Sequence, residues 1–176
     1  MAVVLLLVAL AGCGGGRDGG GATATTPGAS GSSSAATTAA PATAADAKAA
    51  VQAAYRAFWG DVVAVGKTAD WQSPRLAAHA TGPALAQLRA QFREVKAQGW
   101  VAKGTVTVPA AAEVSVSGTK ATIRVCVDTT RYGRFDPAAN RWIDPPGGQP
   151  NQHRDALLAD GQGTWKVADT VVTGKC

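Results

Sequence analysis

The sequence predicts an α+β domain, helices first and an antiparallel sheet after them, on two observations. Up to Gly99 the apolar residues recur with the period of a helix, and beyond it they alternate with the period of a strand. The change falls where a glycine suited to closing a helix meets the first alternating run. That order predicts three helices packed on one face of a curved sheet.

Each element follows from local chemistry. Val51, Tyr55, Phe58, Val62 and Val65 are spaced by four, three, four and three residues, which places them on one face of a first helix running from near Asp46 to about Gly66. Ser73-Pro74 joins an N-cap residue to proline at a first helical position, so a short second helix is expected over 74–80. Thr81-Gly82-Pro83 repeats that signal before the stripe Leu85, Leu88, Phe92 and Val95, which ends at Gly99. Strands are expected over 101–108, 112–116 and 121–129, the last two joined by the turn Ser117-Gly118-Thr119-Lys120. Residues 131–150, rich in Pro, Gly and Asn, read as a long loop or open hairpin. Two further strands, over 152–159 and 164–172, flank Asp160-Gly161-Gln162-Gly163.

Ahead of this domain, assigned to 45–176, lie two segments of different character. The apolar run from Ala2 to Leu10 leads into Leu10-Ala11-Gly12-Cys13, a lipobox, although no Lys or Arg precedes it. Residues 1–12 are therefore expected to be a signal peptide, and Cys13 the lipidated residue that attaches the chain to the outer face of a membrane. The run is shorter than the ~20 residues a spanning helix needs. Residues 13–44 contain mostly Gly, Ala, Ser, Thr and Pro with one charged pair, Arg17-Asp18. Such a segment buries too little to offset its ordering entropy and is expected to be a disordered tether with a reach of about 30 Å. Gly14, Gly16 and Gly19 have the GxGxxG spacing there, without the strand and helix that give it meaning.

Composition narrows the function. The formal charge of +5 invites a nucleic-acid reading, yet the arginines alternate with Asp61, Asp70, Glu94, Asp128, Asp136 and Asp144 and form no run. A dispersed, solvated surface is expected, with no nucleic-acid partner. With Cys13 lipidated, Cys126 and Cys176 remain as an even pair outside the cytoplasm and are expected to be bonded. Closing that loop stabilises by roughly 4 kcal/mol in the chain-entropy model. No CxxC or Cys/His cluster suggests a redox or metal role, and no metal or cofactor is expected.

Candidate chemistry is sparse. Gly60 to Thr68 nearly spells a phosphate loop, but five residues separate its glycines where four are needed, and the segment lies inside the apolar stripe of the first helix. No GxSxG elbow occurs. His79 and His153 are far apart in sequence, and His79 is expected to serve as a dipole partner at a helix C-terminus. Asp61, Asp70 and Asp128 read as single carboxylates, solvated or paired with arginine. Tyr55, Phe58, Trp59, Trp71 and Trp100 lie on or beside the helical layer and default to core packing, some of them being candidates to line a pocket for an apolar ligand. The pocket candidates are Tyr55, Trp59, Trp71, His79 and Asp128.

Five short motifs carry a family resemblance: Ala80-Thr81-Gly82-Pro83-Ala84-Leu85, Gly99 with Lys103-Gly104, Val125-Cys126-Val127-Asp128, Trp165-Lys166-Val167 and Gly174-Lys175-Cys176. In these the chain resembles actinobacterial lipoproteins and secreted proteins with a nuclear transport factor 2-like, or SnoaL-like, domain, over most of 45–176. The resemblance implies a cone of helices and curved sheet with a disulfide from a central strand to the C-terminus, here Cys126 to Cys176, and no established activity. Two functions are then expected in order. The first is a membrane-anchored extracytoplasmic lipoprotein that binds a small apolar ligand or an envelope protein without catalysis. The second is a cone-pocket enzyme of isomerase or hydratase type using general acid/base chemistry, with Asp128 or His79 as its candidates.

Overall fold

The computed structural model describes residues 43–176 apart from 111 and 161. The expected leader, Cys13 and nearly all of the tether lie outside the described residues.

Helix α1 spans Ala44–Gly66. Its start is set by a capping box: the Thr43 hydroxyl accepts the Asp46 N–H at 3.2 Å while the Asp46 carboxylate accepts the Thr43 N–H at 2.8 Å. The Thr43 N–H and, after it, the Thr43 hydroxyl, which also donates to Asp46 Oδ2 at 2.8 Å, hold the Asp46 carboxyl below its ordinary value. Asp46, expected to open the helix, is thus the third residue of its first turn. The stripe Val51, Tyr55, Phe58, Val62 and Val65 is buried as its spacing requires. Each such side chain contributes about 1.5–3 kcal/mol when taken from water. Helices α2 (Arg75–His79) and α3 (Gly82–Ala97) follow, with Pro83 in the first turn of α3.

The strands are β1 (Val101–Thr107), β2 (Glu113–Ser117), β3 (Lys120–Asp136), β4 (Arg141–Trp142), β5 (Asn151–Ala159), β6 (Trp165–Asp169) and β7 (Val172–Lys175). All seven form one antiparallel sheet with the path β1-β3-β5-β6. Strand β3 is its spine: β2 and β5 flank the first half, and β1 and β4 pair with the second. One strand of 17 residues serving two sets of neighbours makes the sheet curl into a half-barrel. Gly104, opposite Tyr132 with φ +106°, is needed at this curl, because a Cβ there would collide with the Arg131 carbonyl. Helices α1 and α3 pack on the sheet face that they share with the core, α1 over β1, β2 and β6 and α3 over β6 and β1.

Two expectations require correction. Strand β3 does not end at Thr129 but continues to Asp136, so 131–150 is an open hairpin whose return strand is β4. The expected strand over 164–172 is two. Strand β6 pairs with the second half of β5 and β7 with the first, and each ladder carries a register shift. The chain leaves the ladder between them because the Val171 N–H donates to the Asp155 side chain at 2.9 Å. The Cys126–Cys176 disulfide is present, with Cα atoms 6.2 Å apart, and ties the residue after β7 to β3.

Candidate functional site

The register of β3 and β5 determines which side chains of β5 face the helices. His153 lies opposite Val125, and Asp155 opposite Ile123. With Leu157 they form the alternate, buried set of β5, whereas Arg154 and Leu158 are exposed. Two polar residues therefore enter the core by strand periodicity.

Asp155 is fully buried, and both its oxygens are engaged. Oδ2 accepts the Tyr55 hydroxyl at 2.6 Å and Oδ1 accepts the Val171 N–H. Burial, and behind it the charge of Asp155, raises the Tyr55 phenol above its ordinary value. His153 is 6% exposed, and its Nδ1 stands 3.5 Å from Asp155 Oδ2, too long for a well-formed hydrogen bond. Trp59, from the α1 turn after Tyr55, sets its ring edge-on to the imidazole with centroids 5.5 Å apart.

Trp59 Nε1 and both ring nitrogens of His153 are buried without a hydrogen-bond partner. Two of the three have a polar neighbour within the core, Trp59 Nε1 beside the Tyr55 hydroxyl and His153 Nδ1 beside Asp155; His153 Nε2 has none, and leaving a buried polar atom unmade costs about 1–3 kcal/mol. Space exists beside them. A cavity of about 350 Å³ is lined by Trp59, His153, Tyr132, Gln87, Gln91 and Val172, among others. Tyr132 donates to the Val62 carbonyl at 3.2 Å, and burial pushes its phenol up to about 12. Gly66 makes that position possible, because a Cβ there would overlap the Tyr132 hydroxyl. A second cavity, of about 390 Å³, shares Val62, Leu88, Gln91 and Tyr132 with the first and reaches the ion pair Arg134–Asp144.

The five sequence candidates fall in different places. Trp59 lines the first cavity, and Tyr55 stands behind it as the donor to Asp155. Trp71 is half-buried, with the Arg93 guanidinium 4.7 Å above its ring. His79 closes α2 and meets Asp61, whose Oδ2 is 2.7 Å from Nδ1 and whose Oδ1 accepts Arg75 at 3.1 Å. Asp61 is thus paired with arginine, as expected, and with His79 as well. Asp128 accepts the Thr130 hydroxyl at 2.6 Å and its N–H at 2.9 Å, and these bonds lower its carboxyl. Neither Trp71, His79 nor Asp128 lines the cavity at Trp59. His153, Asp155 and Tyr132 were not among the candidates. For His153 and Asp155 the signal was the alternation His153, Asp155, Leu157, which adjacent Leu158 obscures by offering the opposite phase; Tyr132 lies on β3 in the stretch read as a loop or open hairpin.

No group of three or more His, Cys, Asp or Glu among the described residues could hold a metal ion. No helix among them is long and apolar enough to cross a membrane.

No protein-family model matches the sequence, and no curated protein does. Among solved structures, the chain is similar to the intermembrane-space region of the chloroplast protein ARC6, with 15% identity and a TM-score of 0.51 over 73% of this chain and 97% of that one. A Mycobacterium tuberculosis protein of unknown function matches at 14% identity and TM-score 0.43, covering 70% of each chain. A ketosteroid isomerase-like protein from Erwinia carotovora atroseptica matches at 17% identity and TM-score 0.43, over 70% of this chain and 92% of that one. The ARC6 likeness shows the fold alone: helices on a curled antiparallel sheet.

Proposed function

We propose that the chain is a lipid-anchored extracytoplasmic protein whose domain binds a small, largely apolar molecule in the cavity at Trp59 and His153, without catalysis. The observation that carries the binding reading is the buried His153 on the cavity wall, whose Nε2 has no hydrogen-bond partner. One oxygen acceptor at the His153 Nε2–H satisfies that donor while apolar walls take the rest of the molecule. The ligand's oxygen is uncharged in this reading, because the Asp155 carboxyl lies directly behind the imidazole. Binding is favoured over acid/base chemistry because both Asp155 oxygens are already engaged and the residue is sealed from the cavity. The lipobox at Cys13, the Cys126–Cys176 disulfide and the motif resemblance to actinobacterial lipoproteins support the placement outside the cytoplasm.

The test is native mass spectrometry of the purified chain beside its His153→Phe variant, a change that keeps an aromatic ring and removes both nitrogens. The expected result is a bound small molecule in the parent protein that the variant loses while keeping its melting temperature. A parent protein carrying no adduct, or an adduct equally retained by the variant, would overturn the assignment.

A further inference from the structure

The two cavities share one wall. Val62, Leu88, Gln91 and Tyr132 line both, so the space beside Trp59 and His153 is divided from the second space only by those side chains. The chemistry changes along this line. At the first end is His153, buried and with Nε2 unpartnered. Past the partition, Phe92, Val95 and Ala102 make an apolar lining, and all three are buried. At the far rim Arg134 and Asp144 pair through two contacts, Nη2 lying 2.9 Å from Oδ1. That pair neutralises its own charge, and Glu94, which also lines this cavity, adds a carboxylate, so this end suits no second anionic headgroup.

Resting on the binding reading above, we infer that the two cavities form one site for a single-chain neutral lipid. Its ester or hydroxyl oxygen takes the His153 donor beside the Trp59 ring, and its alkyl chain passes Val62, Leu88 and Tyr132 toward Val95 and Ala102. A compact ligand would fill the first cavity and leave the second without use. A chain uses both, and each buried methylene raises affinity by about fourfold. A free fatty acid is the wrong class, because its carboxylate would face Asp155 across the imidazole. Tyr132 is the specificity-determining side chain, held across the partition by its bond to the Val62 carbonyl.

The experiment uses three probes on the full chain, each kept below its aggregation concentration and followed by tryptophan emission and native mass spectrometry: 1-monolauroylglycerol, 1-monobutyrylglycerol and laurate. The lauroyl ester is expected to bind more than about a hundredfold tighter than the butyryl ester, and laurate more weakly than its ester. A lauroyl ester with a photoreactive group at the chain end is expected to label the segment containing Phe92, Val95 and Ala102. If both esters bind with equal affinity and His153→Phe abolishes both, the single-site inference fails while the binding reading stands. If neither ester binds, both fail. Laurate binding as tightly as its ester overturns the neutral headgroup.

Discussion

At the scale of single residues, the decisive contact is one that no linear pattern announces. Tyr55 and Asp155 are separated by one hundred positions and meet at 2.6 Å in a region with no access to water. Removing the hydroxyl leaves the carboxyl short of a donor, so Tyr55→Phe is expected to destabilise the domain by about 1–3 kcal/mol in urea unfolding. The same change made on an Asp155→Asn background is expected to cost less, since the partner then differs; equal costs in the two backgrounds would deny the coupling. The apolar face that includes Tyr55 was legible from its helical spacing. Its polar partner was not, since period-two reading of β5 admits either Leu157 or Leu158 as the inward residue and only pairing with β3 chooses between them. His79 shows the same limit: its place at the end of α2 was readable, whereas its approach to Asp61 depends on how α2 crosses α1.

At the scale of elements, β7 is the least self-supporting. All four of its residues are exposed, and it pairs with β5 alone. Its attachments beyond the ladder are the Thr173 hydroxyl on the Gln152 carbonyl at 3.3 Å, the Lys175 ammonium on Asn151 Oδ1 at 2.6 Å and the disulfide that follows it. Replacing both Cys126 and Cys176 with serine is therefore expected to speed amide hydrogen exchange in Val172–Lys175 more than in the central β3 residues Ile123 and Val127, which are buried. Uniform acceleration across both strands would instead assign the bridge to global stability alone. The split of β6 from β7 was hidden in the sequence because Trp165 to Val172 holds no Gly or Pro to break the run. What interrupts it is a side-chain acceptor from another strand, Asp155. The helices, by contrast, were readable to within a few residues, because their caps and stripes are local devices.

At the scale of the whole molecule, the chain has two tyrosines, Tyr55 buried and Tyr132 half-buried, and desolvation raises both phenols. A raised tyrosine value means that the folded state holds its proton more tightly than the unfolded chain does. The resulting stabilisation is complete below the ordinary value of 10 and is lost as pH rises through the folded value, about 12 for Tyr132. Alkaline titration is thus expected to show falling stability from about pH 10 to 12, with tyrosinate absorbance appearing together with loss of near-ultraviolet dichroism. Tyrosinate forming in a protein that retains its dichroism would contradict the burial of these phenols.

The sequence by itself determined the α+β class, the three helices, most strand positions and the cysteine pair, because caps, stripes, alternation and parity are properties of neighbouring residues. Tertiary structure alone decided the inward phase of β5, the division of the last strand and the convergence of Trp59, His153 and Tyr132 on one cavity. Those depend on pairing and packing between residues far apart in the chain, and a buried polar group announces itself only when its surroundings are known.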